Sequence, residues 1–313
     1  MFDNFVKYCL SHGALLTSFD LPKEHDSFGI SAYCNPSIFI DNDGRKRFIV
    51  RNVNYMLWAC DDSHKFVSPY GPISYLTNED DAHLRTENYL YDDVNGYKKI
   101  DMSKFNKEPI WDFVGLEDAR LVRWDGKLYA TGVRRDTTTN GEGRMELSEL
   151  TEDGIEISRV RINTPGNKPS YCEKNWMPIL DMPFHYVKWC NPLEIVKVNP
   201  KTGESETVTF LEYDQNGANL NVDGMSIRGS SQVIPVGDKR VAIIHRCTLW
   251  WNELEQRSHA GYFHQFIVWD KDWNIVKISD MFKFAGFGIE FTNGLAYEDG
   301  QYYIPFALQD KIA

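Results

Sequence analysis

The chain has 313 residues, 42% hydrophobic and 25% charged, as expected of a folded globular protein of one large or two ordinary domains. A formal net charge of −11 argues against nonspecific nucleic-acid binding, which needs clustered Lys and Arg, and leaves room for a local basic pocket. Nine Trp, 16 Tyr and 18 Phe supply ring faces that fill β-sheet cores more often than they stack on sugars.

The six cysteines (Cys9, Cys34, Cys60, Cys172, Cys190 and Cys247) contain no Cys-x-x-Cys pair, which argues against zinc ribbons and redox motifs and for free thiols in a reducing compartment. The first 16 residues lack a basic region followed by a long apolar run, so they do not read as a signal peptide. No segment reaches the roughly 20 apolar residues of a membrane span. The expectation is a cytoplasmic protein.

In chain order, residues 1–20 begin with a short amphipathic helix, carried by Phe2, Phe5, Val6 and Leu10. Beyond it, short strand-like runs bounded by Gly, Asn, Asp and Pro dominate. Five of these share one layout: a polar tripeptide, a strand, a turn and a second strand. They begin at Asn35, Gly115, Glu173, Arg228 and Glu290. The second is the clearest, with Leu121–Trp124 and Leu128–Val133 flanking Asp125–Gly126, the preferred pair for a two-residue hairpin turn. Segments such as 155–162 and 265–269 can supply outer strands. Residues 76–110 read as a polar, acidic insertion looping over a surface, and 136–145 as a mobile loop beside the site. The layout predicts an all-β fold in a single domain, a five-bladed β-propeller with a short N-terminal helix. In that architecture the five polar tripeptides face one another around a central funnel. The competing reading is a sandwich whose polar strand ends serve only its turns.

The chemistry sits at those strand ends. Glu117 and Asp118 are adjacent, so on a regular strand they point to opposite faces, and Asp118 shares its face with Arg120. A carboxylate is the usual acid or base of glycosyl transfer, and Asp118 is the catalytic candidate. Arg51, Arg134, Arg135, Lys174, Arg228, His245 and Arg246 recur at starts or ends of the motif strands. Guanidinium groups grip phosphate oxygens bidentately, so this set suggests a bound phosphate or diphosphate. Asn35, Ser37, Asn175, Ser230, Ser231, Gln232 and Asn293 are short donors and acceptors suited to sugar hydroxyls, and Glu290 opens the fifth motif. Trp176, Trp250 and Trp251 offer ring faces, more commonly used in cores. Gly-x-Ser-x-Gly, metal-ligand spacing, and Walker or dinucleotide loops are absent, so no cofactor is expected.

Gly115-Leu-Glu-Asp-Ala-Arg120 resembles the Gly-Val-Glu-Asp-Pro-Arg signature of glycoside hydrolase family 130, the inverting mannoside phosphorylases, with Ala119 in place of Pro. The Asn-Pro-Ser-Ile opening at 35–38, Glu-Lys-Asn-Trp at 173–176 and Glu-Phe-x-x-Gly-Leu at 290–295 look more like the propeller glycosyltransferase relatives, including fungal β-1,2-mannosyltransferases. The resemblance implies a five-bladed propeller in which Asp118 matches a catalytic aspartate acting through a sugar hydroxyl. Arg134, Arg135 and His245 match phosphate-binding positions loosely. It implies an inverting glycosyl-transferring enzyme, a transferase or a phosphorylase. The donor is a sugar phosphate or nucleotide sugar, with mannose as the sugar it points to, and the acceptor a carbohydrate. A glycoside hydrolase and a non-catalytic glycan- or protein-binding propeller remain the alternatives.

Overall fold

The computed structural model describes residues 4–19, 32–57, 64–68, 71–77, 83–166, 169–213, 227–253, 257–286 and 288–309. Strands dominate, and the segment Phe5–Ser11 is helical. Asn4 caps that helix by accepting the Lys7 N–H at 2.8 Å. The helix is fastened at its start, where the N–H groups of Phe5 and Val6 donate to the carbonyls of Lys283 and Phe284. The Phe5 ring packs on Phe282 at 4.3 Å. Among the described residues no helix is long and apolar enough to cross a membrane.

Most strands form antiparallel meanders, though Lys46–Val53 pairs with Leu84–Asp92 across an inserted sheet and Phe113–Val114 runs parallel to the start of Leu84–Asp92. Blade 1 runs Ala32–Ile40, Lys46–Val53, Leu84–Asp92 and Gly96–Lys99. Blade 2 runs Glu117–Trp124, Lys127–Arg134, Arg144–Leu150 and Glu156–Arg161. Its first hairpin turns at Asp125 and Gly126, whose φ angles are +50° and +77°, the pair of positive values that Asp-Gly adopts readily. Blade 3 runs Met177–Pro178, His185–Cys190, Leu193–Val198 and Ser205–Leu211. Blade 4 opens with Ile227–Gly229 and Ile234–Val236, both paired to Lys239–Asn252, and continues through Arg257–Trp269 and Ile275–Ile278. Blade 5 is reduced to two pairs, Glu290–Phe291 with Ala307–Leu308 and Ala296–Glu298 with Gln301–Tyr303.

Each blade hides apolar residues on both faces, and five buried clusters straddle the joints. Leu90 and Ile49 of blade 1 meet Leu121 and Ala130 of blade 2. Trp124 and Tyr129 of blade 2 meet Trp176 and Tyr186 of blade 3. Ile195 and Val187 meet Ile244 and Trp269 of blade 4. Val241 and Ile243 meet Leu295 of blade 5, and Ala307 of blade 5 meets Ala32 and Val53 of blade 1. Five joints close a ring of five blades. Each large side chain buried there contributes roughly 1.5–3 kcal/mol, which is why consecutive residues such as Leu121 and Val122 are both apolar.

The 76–110 stretch departs from the surface-loop reading. From Leu84 to Lys99 it forms the third and fourth strands of blade 1. Its period-two burial was hidden because Thr86, Asn88 and Asp92 fill buried positions between exposed or half-buried neighbours. The extra element lies earlier, where Tyr55–Leu57, His64–Ser68 and Gly71–Thr77 form a small three-stranded sheet. Residues 265–269 belong to the third strand of blade 4, with Ile275–Ile278 outside it. The end of the 136–145 stretch is strand from Arg144 onward. Its earlier part is tied down, since Arg135 Nε donates to the Gly141 carbonyl at 3.0 Å and the Tyr171 hydroxyl donates to that of Asn140 at 2.8 Å.

Candidate active site

The inner strands of three blades share one backbone irregularity. Asn35 lies within the inner strand of blade 1, Asp118 is second in that of blade 2 and Asn175 just precedes that of blade 3, with φ of +48°, +49° and +63°. Asn and Asp enter this left-handed region more easily than other side-chain-bearing residues. In blade 2 the strand register slips between Thr131 and Val133, opposite Asp118, which makes a β-bulge. The bulge breaks the alternation expected of Glu117 and Asp118. Both carboxylates reach the Arg51 guanidinium, Asp118 at 2.8 Å and Glu117 at 3.9 Å. Gly132 makes room for the bulge, because a Cβ there would fall 2.4 Å from the Glu117 carbonyl oxygen. Gly229 plays the same part against Asn175, whose carbonyl oxygen would lie 2.4 Å from an added Cβ.

Asp118 is the hub. It is 7% exposed, and its Oδ1 accepts from Asn35 Nδ2 and Arg51 Nη1, each at 2.8 Å. Burial opposes its charge, but Arg51, Lys174, the Asn35 amide and Arg120 outweigh burial and hold its pKa at about 2. Arg51 is fixed in turn by the Thr86 hydroxyl at 3.2 Å and by the Tyr55 hydroxyl. Arg120 does not grip the carboxylate as its spacing suggested. Its Nη1 donates to the Asp118 backbone carbonyl at 2.9 Å and its Nε to the Ser230 carbonyl at 2.7 Å, so it supports the bulge and ties blade 2 to blade 4. Asn293 Nδ2 donates to the Asn35 carbonyl at 3.1 Å. Direct bonds therefore link blades 5, 1, 2 and 4 around Asp118.

Blade 3 joins through charge. Lys174 acts on both Asp118 and His245. Arg228 acts on His245 and stacks over Trp189 at 4.3 Å. Arg135 lies over Phe113 at 4.6 Å and feels the charge of Glu117. All three cations bear on the Cys172 thiol, which burial nevertheless pushes upward. Among the described residues, none of these three makes an ion pair within 4.0 Å. His245 Nδ1 lies 2.8 Å from Ser230 Oγ. Burial, then His264, Lys174, Arg120 and Arg228, hold its pKa well below the usual imidazole value, so the ring is neutral at pH 7. The site combines a buried anion with half-buried, unpaired cations, a neutral imidazole and amides.

Other candidates are committed elsewhere. Arg134 bonds Glu146 at 2.8 Å and Asp136 at 3.0 Å. Arg246 Nε donates to Gln265 at 2.8 Å, and as the strand neighbour of His245 it faces the other side. Ser231 Oγ donates to the Gln232 carbonyl and accepts the Ile243 N–H. Glu290 accepts the backbone N–H groups of Phe284 and Ala285. Gln232 is fully buried, bonding Ser37, Ile38 and Leu121. Trp176 lies in the core between blades 2 and 3. Tyr55 and Thr86 went unrecognised in the sequence. Tyr55 lies past the bend at Asn54, where strand periodicity no longer reports direction, whereas Thr86 was legible only through the period-two pattern of its strand. Among the described residues no group of His, Cys, Asp and Glu could hold a metal ion.

No protein-family model matches the chain, and no curated protein matches it in sequence. Solved structures do. The β-1,2-mannobiose phosphorylase of Listeria innocua, solved with β-1,2-mannobiose, superposes with a TM-score of 0.52 at 13% identity, covering 93% of this chain and 90% of that one. A GDP-Man-dependent mannosyltransferase from Leishmania mexicana superposes with a TM-score of 0.50 at 11% identity, covering 98% and 92%. The chain is therefore a β-propeller with the fold of a mannoside phosphorylase and a mannosyltransferase.

Proposed function

We propose that the chain is an inverting glycosyl-transferring enzyme that moves a sugar, mannose on the resemblance above, from a phosphate-bearing donor to a carbohydrate acceptor. The observation that carries this reading is Asp118, a buried carboxylate kept ionised by Arg51 and Asn35 in a bulge facing unpaired cations. In the transfer direction the acceptor hydroxyl oxygen bonds to the anomeric carbon from the face opposite the leaving group. The bond from that carbon to the phosphate oxygen breaks. The acceptor's proton passes through a hydroxyl of the donor sugar to Asp118, the route the resemblance implies. Lys174 and Arg228, with Arg135, balance the charge that stays on the departing phosphate or nucleotide diphosphate. The neutral His245 and the Asn35, Asn175 and Asn293 amides serve as hydrogen-bonding groups for sugar and phosphate oxygens.

Asp118→Asn keeps the shape and removes the proton acceptor. Turnover should fall about 10²–10⁴-fold with the far-UV circular dichroism unchanged, and wild-type turnover would remove Asp118 from the mechanism. A panel of sugar phosphates and nucleotide sugars, each with and without carbohydrate acceptors and read by phosphate or nucleotide release, identifies the donor. Release that needs only water would establish the hydrolase reading. Saturable binding with no product from any donor would establish a binding protein.

A further inference from the structure

We infer that Ser230 is a positioning residue: its hydroxyl donates to His245 Nδ1 and thereby keeps the imidazole proton on Nε2, where it is available to a bound ligand. The hydrogen-bond count around the pair decides between the two tautomers. Ser230 is fully buried. Its backbone fixes its place, the N–H donating to the Ile243 carbonyl at 3.1 Å and the carbonyl accepting from Arg120 Nε at 2.7 Å. Among the described residues the Ser230 hydroxyl has one partner, His245 Nδ1 at 2.8 Å. A hydroxyl carries a proton that needs an acceptor. If Nδ1 held the ring proton, the Ser230 proton would be left unpaired, and a buried unpaired donor is costly. With Ser230 donating, both groups are satisfied. A neutral imidazole that accepts at Nδ1 carries its proton on Nε2.

The ring does not escape this by turning over. Phe291 meets it edge-on at 5.0 Å, and Tyr262 lies 5.5 Å away at a tilt of 31°. A half-turn would also bring a ring carbon to Ser230 and orphan the same hydroxyl. Among the described residues Nε2 has no partner, yet it is not sealed in. Its register partner His264, by contrast, has both ring nitrogens closed off. The cations that bear on His245 are Lys174, Arg120 and Arg228, which are donors only and cannot take up the Nε2–H. What remains for it is an acceptor atom brought by a ligand. In the transferase reading, on which this last step rests, that atom is a phosphate oxygen. A neutral donor there adds a hydrogen bond without adding to the positive charge of the three cations.

The test is nitrogen NMR of the isotopically labelled full chain at neutral pH. Both ring nitrogens are read through their couplings to the ring protons, with His245 assigned by the signals lost in His245→Gln. The wild type should show Nδ1 unprotonated and Nε2 protonated. A proton on Nδ1, on both nitrogens, or shared equally between them would overturn the assignment. In Ser230→Ala the unpaired ring should exchange between tautomers, so the two nitrogen shifts should move toward each other. Ser230→Thr, which keeps the hydroxyl, should restore them. A purely structural serine would lower the melting temperature of Ser230→Ala and leave the shifts in place, which would equally overturn the proposal. If Ser230→Ala does not fold, the wild-type spectrum is decisive. Inorganic phosphate added to the wild type should move the Nε2–H proton downfield, with an affinity about tenfold lower in Ser230→Ala. An Nε2–H tautomer that ignores phosphate keeps the Ser230 assignment and removes phosphate as the ligand of His245. Phosphate binding to a ring protonated at Nδ1 does the reverse.

Discussion

His264 shows how far a single side chain in this core is set by burial. It is fully buried beside Phe282 and Phe284, and neither ring nitrogen has a hydrogen-bond partner. Burial lowers its pKa to about 3, against about 6.5 in an unfolded chain. Between those values the unfolded chain takes up a proton that the folded chain refuses. Stability is thus full above about pH 6.5 and drops toward pH 3 by about 1.4 kcal/mol per unit. His245, also depressed chiefly by burial, adds to the same acid loss. Asp118 follows lower down: its lowered pKa stabilises the fold above about pH 3.9, and that share disappears as pH falls through about 2. Urea unfolding of His264→Leu from pH 7 to pH 4 should show a flatter loss than the wild type. An unchanged slope would mean that His264 does not supply it.

At the scale of the element, the bulge decides the site. A regular strand would carry Glu117 and Asp118 to opposite faces, and only the left-handed turn of Asp118 brings both to Arg51. Such backbone conformations cost about 1–3 kcal/mol and persist where neighbours overdetermine them. Here those neighbours are Gly132, the Arg120 guanidinium on the Asp118 carbonyl, and Asn35 and Arg51 on its carboxylate. Gly132→Ala places a methyl 2.4 Å from the Glu117 carbonyl oxygen and must push the bulge outward. We expect about 1–3 kcal/mol of lost stability from the overpacking and at least a tenfold loss of turnover, read by thermal melting and by donor consumption. A variant with wild-type values of both would show that the bulge tolerates displacement and does not position the carboxylate.

At the scale of the whole molecule, Gln232 holds the ring. Its amide nitrogen lies 2.9 Å from Ser37 Oγ, 2.8 Å from the Ile38 carbonyl and 3.1 Å from the Leu121 carbonyl, and its oxygen accepts the Leu295 N–H at 3.2 Å. One side chain from blade 4 thereby bonds blades 1, 2 and 5 at a fully buried point. Gln232→Leu leaves buried backbone groups unpaired at about 1–3 kcal/mol each, so the urea midpoint should fall by the equivalent of about 2–4 kcal/mol with an unchanged slope. A midpoint within error of the wild type would show that the blades close without this link.

Local chemistry settled many of the elements and the order of the polar strand starts. Asp125–Gly126 dictates its hairpin because both φ angles must be positive there, and the runs around Leu121 and Leu128 are apolar because both faces of a blade are covered. The five polar starts at Asn35, Gly115, Glu173, Arg228 and Glu290 were readable for the same reason: a strand that ends at an axis exchanges apolar residues for polar ones. Which of those polar groups meet was decided only by the tertiary fold. Arg134 and Lys174 look alike in a sequence, yet one is buried against two carboxylates and the other is half-buried with no ion pair among the described residues. Ser231 and Gln232 read as sugar-binding groups and instead hold strands and blades together. The strands of 84–99 were concealed by polar side chains buried between blades. In each case the missing information is the identity of a partner more than ten residues away in sequence, and hydrogen bonds, ion pairs and burial take their energy from that partner.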